Sequence, residues 1–230
     1  MRGTLVRSIA VDGSGASIGP VVDADYNPLI FNAQSIKQAK QVILYPDRHI
    51  DTEHRWEQDS NAMLPYLDRL GLNKDSWLLD YGCGIGRLAK VAITRYGCRV
   101  VGIDISQTMR SMAEVYVNSN RFVPMSAEMC DELAPEFNAA ITVWTLQHCR
   151  APAEDIAFLH RNLLPGGLLL VVNDPGRFVP VLYARQFDWL DDHQDVWAEL
   201  QRQFRLIGEP EPFEFARGRV AFYQSEAEGD

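Results

Sequence analysis

Five short apolar runs, at 77–81, 99–103, 121–125, 139–144 and 167–173, constrain this chain more than any other feature. Runs such as GLLLVV show no polar alternation, which fits strands buried on both faces. Segments with helical spacing separate them, at 86–96, 107–118, near 128–135 and at 152–163. Such strand–helix alternation dictates an α/β fold, a doubly wound and mostly parallel sheet with right-handed crossovers. Ahead of it, 33–44 has helical spacing at Ile36, Ala39, Val42 and Ile43. A further helix is expected within 52–72, starting near Ser60 or kinked at Pro65. After Asp174 the alternation stops. Residues 179–204 read as one or two helices, and 204–224 as an antiparallel strand pair around ARGR. The Gly/Ser-rich stretch VDGSGASIG reads as flexible. Residues 1–60 are therefore expected to form a flexible N-terminus and helical cap, and 61–230 the ligand-binding part, in a single domain overall.

The stretch LLDYGCGIGRLAK, residues 78–90, packs Gly82, Gly84 and Gly86 into the turn between the first run and the next helix. That turn lies at the carboxyl end of the sheet, where open α/β folds bind ligands. Glycine there takes positive φ and lets a ligand approach the backbone, and the helix start presents N–H groups. The spacing is not that of a dinucleotide fingerprint, because Arg87 stands where the third glycine would be. The second run, VVGIDIS, ends in Asp104, beside the first turn in this topology and placed to accept both hydroxyls of a ribose. Ser106 is suited to cap the helix that follows. The Pro165-Gly166-Gly167 step reads as a turn before the fifth run. Net charge of −9 without a basic run argues against nucleic acid as a partner. No stretch approaches a signal peptide or a membrane span, and the four cysteines lack metal-ligand spacing, so a cytoplasmic protein without metal is expected.

Taken together, LLDYGCGIGR, VVGIDIS, VWTLQHC and LLPGGLLLVV resemble the class I S-adenosylmethionine-dependent methyltransferases of the small-molecule branch, in order and approximate spacing. The resemblance covers 77–174 and implies a Rossmann-like sheet with an antiparallel C-terminal pair. It also implies S-adenosyl-L-methionine as cofactor, S-adenosyl-L-homocysteine as product and a small-molecule acceptor. By the family pattern, Asp80 and the backbone of Gly82, Gly84 and Gly86 surround the methionine part. Asp104 binds the ribose and Ile105 packs on the adenine. Where relatives often carry an acidic residue this chain has Ser126, which leaves Ala127 or Glu128 for the adenine edge. Val143 and Trp144 border the methyl group. Asn138, where relatives often carry aspartate, reads as a strand-edge change.

His148 follows the fourth run and is the candidate general base, its ordinary pKa of about 6.5 suiting proton removal at neutral pH. Gln147 is a candidate for orienting the acceptor. Tyr45, His49 and Trp56 are candidate substrate-wall residues, because the family's N-terminal region often covers the active site. Trp189, Trp197 and Phe187 lie where relatives vary for substrate recognition. Two rivals stand beside this reading: an NAD(P)-dependent oxidoreductase, and a cofactor-binding protein without catalytic activity. Monomer and homodimer both remain open.

Overall fold

The computed structural model describes residues 25–44, 51–183, 185–213 and 218–226. Strand β1 (Asp25–Tyr26), a 3-10 turn (Pro28–Phe31) and helices α1 (Ile36–Ile43), α2 (Thr52–Ala62) and α3 (Leu64–Asp68) precede the alternating region. Then follow β2 (Trp77–Tyr81), α4 (Arg87–Tyr96), β3 (Arg99–Ile103), α5 (Gln107–Val117), β4 (Phe122–Met125), α6 (Ala127–Leu133), β5 (Phe137–Val143), α7 (Pro152–Asn162) and β6 (Leu163–Asn173). A hairpin of β7 (Val179–Tyr183) and β8 (Gln186–Leu190), helix α8 (Val196–Gln203), β9 (Arg205–Pro212) and β10 (Arg219–Gln224) complete the order.

Seven strands form the main sheet in the order β4-β3-β2-β5-β6-β10-β9. β2, β3, β4, β5 and β6 run parallel, and β10 pairs antiparallel with both β6 and β9. The expected antiparallel pair is therefore part of the same sheet. Chain order runs outward from β2 through β3 to β4, then returns to β5 on the other side of β2. The crevice between the carboxyl ends of β2 and β5 is thus a topological switch point.

One apolar cluster packs α3, α4 and α5 on one face of the sheet, around Leu67, Leu88, Ala92 and Ile141. A second packs α7 and α8 on the other, around Ile156, Leu159 and Leu200. A third joins the N-terminal segment to the glycine turn and α5, through Ala39, Leu44, Trp56, Ile85 and Met109.

Three expectations need correction. The 52–72 helix is two helices that break at Met63, with Pro65 in the first turn of α3, where its missing N–H costs nothing. Residues 163–173 form one continuous strand, and the Pro-Gly-Gly step is a register shift against β5 rather than a turn before the strand. Gly166, at φ 81°, donates to Ser225 O, and Ser225 N returns a bond to Gly167 O. Among the described residues of 179–204, 196–203 alone are helical. VPVLY and QFDWL pair as β7 and β8 instead. Pro180 cannot sit inside a helix, and β1 completes a three-stranded sheet on this hairpin. The α1 and cofactor-side helices agree with the expected spans.

A candidate cofactor and acceptor cavity

The glycine turn closes on the neighbouring strand. Gly82 N and Cys83 N both donate to Ile103 O, at 2.7 and 2.8 Å, which draws the end of β2 against the end of β3. Gly84 N donates to Asp104 Oδ2 and Ser106 N to Asp104 Oδ1, each at 2.8 Å. Asp104 thus ties the turn to the start of α5. Burial raises its carboxyl pKa, while the Ser106 and Gly84 amides and Arg110 lower it. Gly82 must be glycine: its φ is 80°, and a Cβ there would lie 2.1 Å from Thr145 Oγ1. α4 starts with Gly86 as its N-cap, which has no side chain to cap it, and the Asp80 carboxylate takes the Ala89 amide of its first turn.

Above this turn lies a cavity of about 1080 Å³, lined on one side by Gly82, Gly84, Asp104, Ile105, Ala127 and Glu128. Val143, Trp144, Thr145, Gln147 and His148 line its centre, and Tyr26, Phe31, Phe178 and Trp189 its far side. Trp144 sits at φ 58° and packs edge-on against Phe213. Ile105 is 58% exposed, an apolar face open to the cavity. These residues fit a nucleoside with an amino-acid arm: a bare backbone turn, a carboxylate with one lone pair per oxygen still unused, and an apolar platform beside it. Ser126 caps α6 by accepting from Met129 N at 3.3 Å, and its hydroxyl also lowers the Glu128 pKa. Asn138 Oδ1 accepts from Trp77 N at 2.8 Å, a tie at the strand edge.

The segment after β5 is held from two sides. Gln147 N donates to Asn173 Oδ1, Asp174 N donates to Gln147 Oε1, and Phe178 N donates to Gln147 O. His148 Nδ1 lies 2.6 Å from Phe178 O. A carbonyl only accepts, so Nδ1 carries the proton, and Nε2 accepts from Gln147 Nε2 at 3.2 Å. Burial lowers the His148 pKa, partly offset by the Phe178 bond, so the ring is neutral at pH 7. Phe31, Phe178 and Trp189 surround the imidazole, with ring centroids 5.6, 6.4 and 5.2 Å away.

Asp80, Gly86 and Trp56 fall outside the cavity lining. Asp80 is buried behind the turn, held by the Ala89 amide, with Oδ2 unpartnered and its pKa pushed up to about 7 by burial. Gly86 gives room to Val117, whose Cγ2 would lie 2.4 Å from an added Cβ. Trp56 is a core residue, 4% exposed, donating to Tyr116 Oη at 2.8 Å under Lys40. Its apolar ring is buried in packing rather than offered to substrate. Tyr45 and His49 lie outside the described residues. Of the aromatic segment residues, Trp189 reaches the cavity and Phe187 and Trp197 do not. The sequence reading missed Tyr26, Phe31, Tyr81, Thr145 and Phe178. Tyr26 and Phe31 arrive through the β1–β7 pairing, a long-range contact that no local pattern reports.

Among the described residues no helix is long and apolar enough to cross a membrane.

Comparison with known proteins agrees with this geometry. A family model described as a methyltransferase domain matches residues 55–216. A tRNA U34 carboxymethyltransferase of Actinobacillus pleuropneumoniae serotype 3 (strain JL03) is 31% identical over 129 residues, covering 54% of this chain and 39% of that protein. A ubiquinone biosynthesis O-methyltransferase of Caulobacter sp. (strain K31) is 30% identical over 122 residues, covering 51% of this chain and 45% of that one. The chain thus spans less than half the length of these curated relatives. Among solved structures, magnesium protoporphyrin IX methyltransferase from Synechocystis PCC 6803 with bound SAH aligns with TM-score 0.56 at 17% identity, covering 85% of this chain and 96% of that one. The [4+2]-cyclase SpnF aligns with TM-score 0.61 at 16% identity, covering 80% and 86%. The chain belongs to the methyltransferase-domain family.

Proposed function

We propose that this chain is an S-adenosylmethionine-dependent methyltransferase acting on a small-molecule acceptor, with the acceptor seated between His148 and the aromatic residues Phe31, Phe178 and Trp189. The carrying observation is that one cavity is lined both by the glycine turn with Asp104 and by His148 with the aromatic residues packed around its ring. Asp104 would hold the ribose, Gly82 and Gly84 the amino-acid arm, Ile105 the adenine, and Ala127 with Glu128 its edge. S-adenosylmethionine, when bound, supplies a sulfonium-activated methyl group. The protein's work is then orientation, exclusion of water and, for a hydroxyl or ammonium acceptor, removal of a proton. His148 has its Nε2 lone pair on the Gln147 amide, so an acceptor taking that amide's place would deliver its proton there. In this reading the described part of residues 1–60, together with the β7–β8 hairpin, serves as the cap over the site.

A second reading follows from the relatives named for tRNA modification: a tRNA acceptor. The net charge of −9 weighs against it, since binding a phosphate backbone calls for a basic face. Incubation with methyl-labelled cofactor and either bulk tRNA or a panel of small phenols, amines, thiols and carboxylic acids separates the two. Label transferred to a small acceptor supports the proposal. Label found in tRNA alone overturns it.

A further inference from the structure

Arg177 is 3% exposed and lies in the loop between β6 and β7, where the family resemblance assigns nothing. Its guanidinium faces two ways. On one side Nε and Nη2 meet Asp192 Oδ1 and Oδ2 at 2.9 and 3.0 Å, a bidentate pair whose side chains are 2% and 4% exposed. On the other side Nη1 donates to Leu146 O and Nη2 to Cys149 O. These carbonyls bracket Gln147 and His148. The same loop supplies Phe178, whose N–H holds Gln147 O and whose carbonyl accepts from His148 Nδ1. One buried cation therefore locks both the turn that carries the imidazole and the loop that fixes its tautomer.

We propose that Arg177, braced by Asp192, is a positioning residue for methyl transfer: it holds the 146–149 turn so that His148 keeps its proton on Nδ1 and presents Nε2 as the acceptor. The proposal rests on His148 being the base. A buried ion pair is weak evidence of stability in itself, because desolvation offsets its attraction. What marks this one is its second set of bonds, to the backbone on either side of the candidate base. The charged groups acting on the imidazole are Arg177, which lowers its pKa, and Asp174, which raises it. Phe31, Phe178 and Trp189 pack on the ring without charge.

Arg177→Gln tests this without knowledge of the acceptor. Nitrogen-15-labelled histidine, followed by long-range proton–nitrogen correlation across pH, reports both tautomer and titration of His148, whose signal is identified by its absence in His148→Ala. Wild type should show the Nδ1-protonated tautomer. In Arg177→Gln the tautomers should mix, and the His148 titration should shift from the wild-type midpoint, because the ring loses a nearby cation, part of its burial and the bond to Phe178 O. If the single variant fails to fold, Arg177→Gln/Asp192→Asn removes both charges and gives the same readout. Calorimetric binding of S-adenosylhomocysteine should stay within about threefold of wild type in either variant. A folded variant that binds this nucleoside and keeps the wild-type His148 tautomer and titration overturns the proposal. Once an acceptor is known, turnover should fall by ~10²-fold in Arg177→Gln. Full turnover in His148→Ala would instead sink the base assignment on which the proposal depends.

Discussion

Replacing Asp104 by alanine removes a side chain that ties the glycine turn to α5 and is the proposed holder of the ribose. One lone pair on each carboxylate oxygen is already engaged, with Gly84 N and Ser106 N at 2.8 Å each. Hydrogen bonds to a charged group contribute about 1.5–3 kcal/mol apiece. Asp104 lines an open cavity, so water can take over part of both bonds in the variant. A stability loss of about 2–4 kcal/mol is therefore expected, below the full sum of the two bonds. The remaining lone pairs are those a ribose diol would meet. Losing them should weaken S-adenosylhomocysteine binding by ~1–3 kcal/mol, which is roughly 5- to 150-fold in Kd. Asp104→Asn should fall between, since its amide nitrogen turns a donor toward one of the two backbone donors. Urea denaturation measures the first effect and titration calorimetry the second. A folded Asp104→Ala protein with wild-type Kd would refute the ribose role. An unchanged urea midpoint would refute the tie between the turn and α5.

Gly82→Ala places a methyl 2.1 Å from Thr145 Oγ1 at φ 80°, so it should cost ~2–4 kcal/mol, read as a lower urea midpoint. Asp80 is buried with a folded pKa of about 7, above its unfolded value, so the native state binds more protons than the unfolded state between about pH 4 and pH 7. Unliganded protein should accordingly lose stability as pH rises through that window, on the order of a few kcal/mol in total, and Asp80→Asn should flatten the dependence. Equal slopes in the two proteins would show that Asp80 ionises normally. Trp56→Phe should cost about 1 kcal/mol, from the lost bond to Tyr116, and leave S-adenosylhomocysteine affinity unchanged. A changed affinity at unchanged stability would return Trp56 to the cavity wall.

The glycine-turn end of the cavity was legible in the sequence because its physics is local. Buried parallel strands read as unbroken apolar runs, and Gly82 and Asp104 sit one residue past the ends of two of them. The aromatic end of the cavity was not legible. VPVLY and QFDWL are short and of mixed polarity, and β1, from the far end of the chain, pairs with the first of them. Trp56 was misread for a related reason: an aromatic residue in a polar helix shows no sign of which neighbour covers it, and here the neighbours are Tyr116 on α5 and Lys40 on α1. Gly86 and Asp80 were placed at the ligand by motif, whereas helix packing and burial account for both.

The three-stranded β1-β7-β8 sheet carries a kinetic consequence. Asp25 pairs with Leu182 and Tyr26 with Val181, contacts that close most of the chain into a single loop. Two-stranded hairpins are marginal in isolation, and distant pairings form slowly because chain entropy must be lost before they are rewarded. The aromatic rim should therefore be among the last parts to assemble and the first to breathe, with deuterium entering the β7–β8 amides well before those of β2 or β5. That edge should then open the aromatic end of the cavity more readily than the glycine turn, which is bonded to the end of β3.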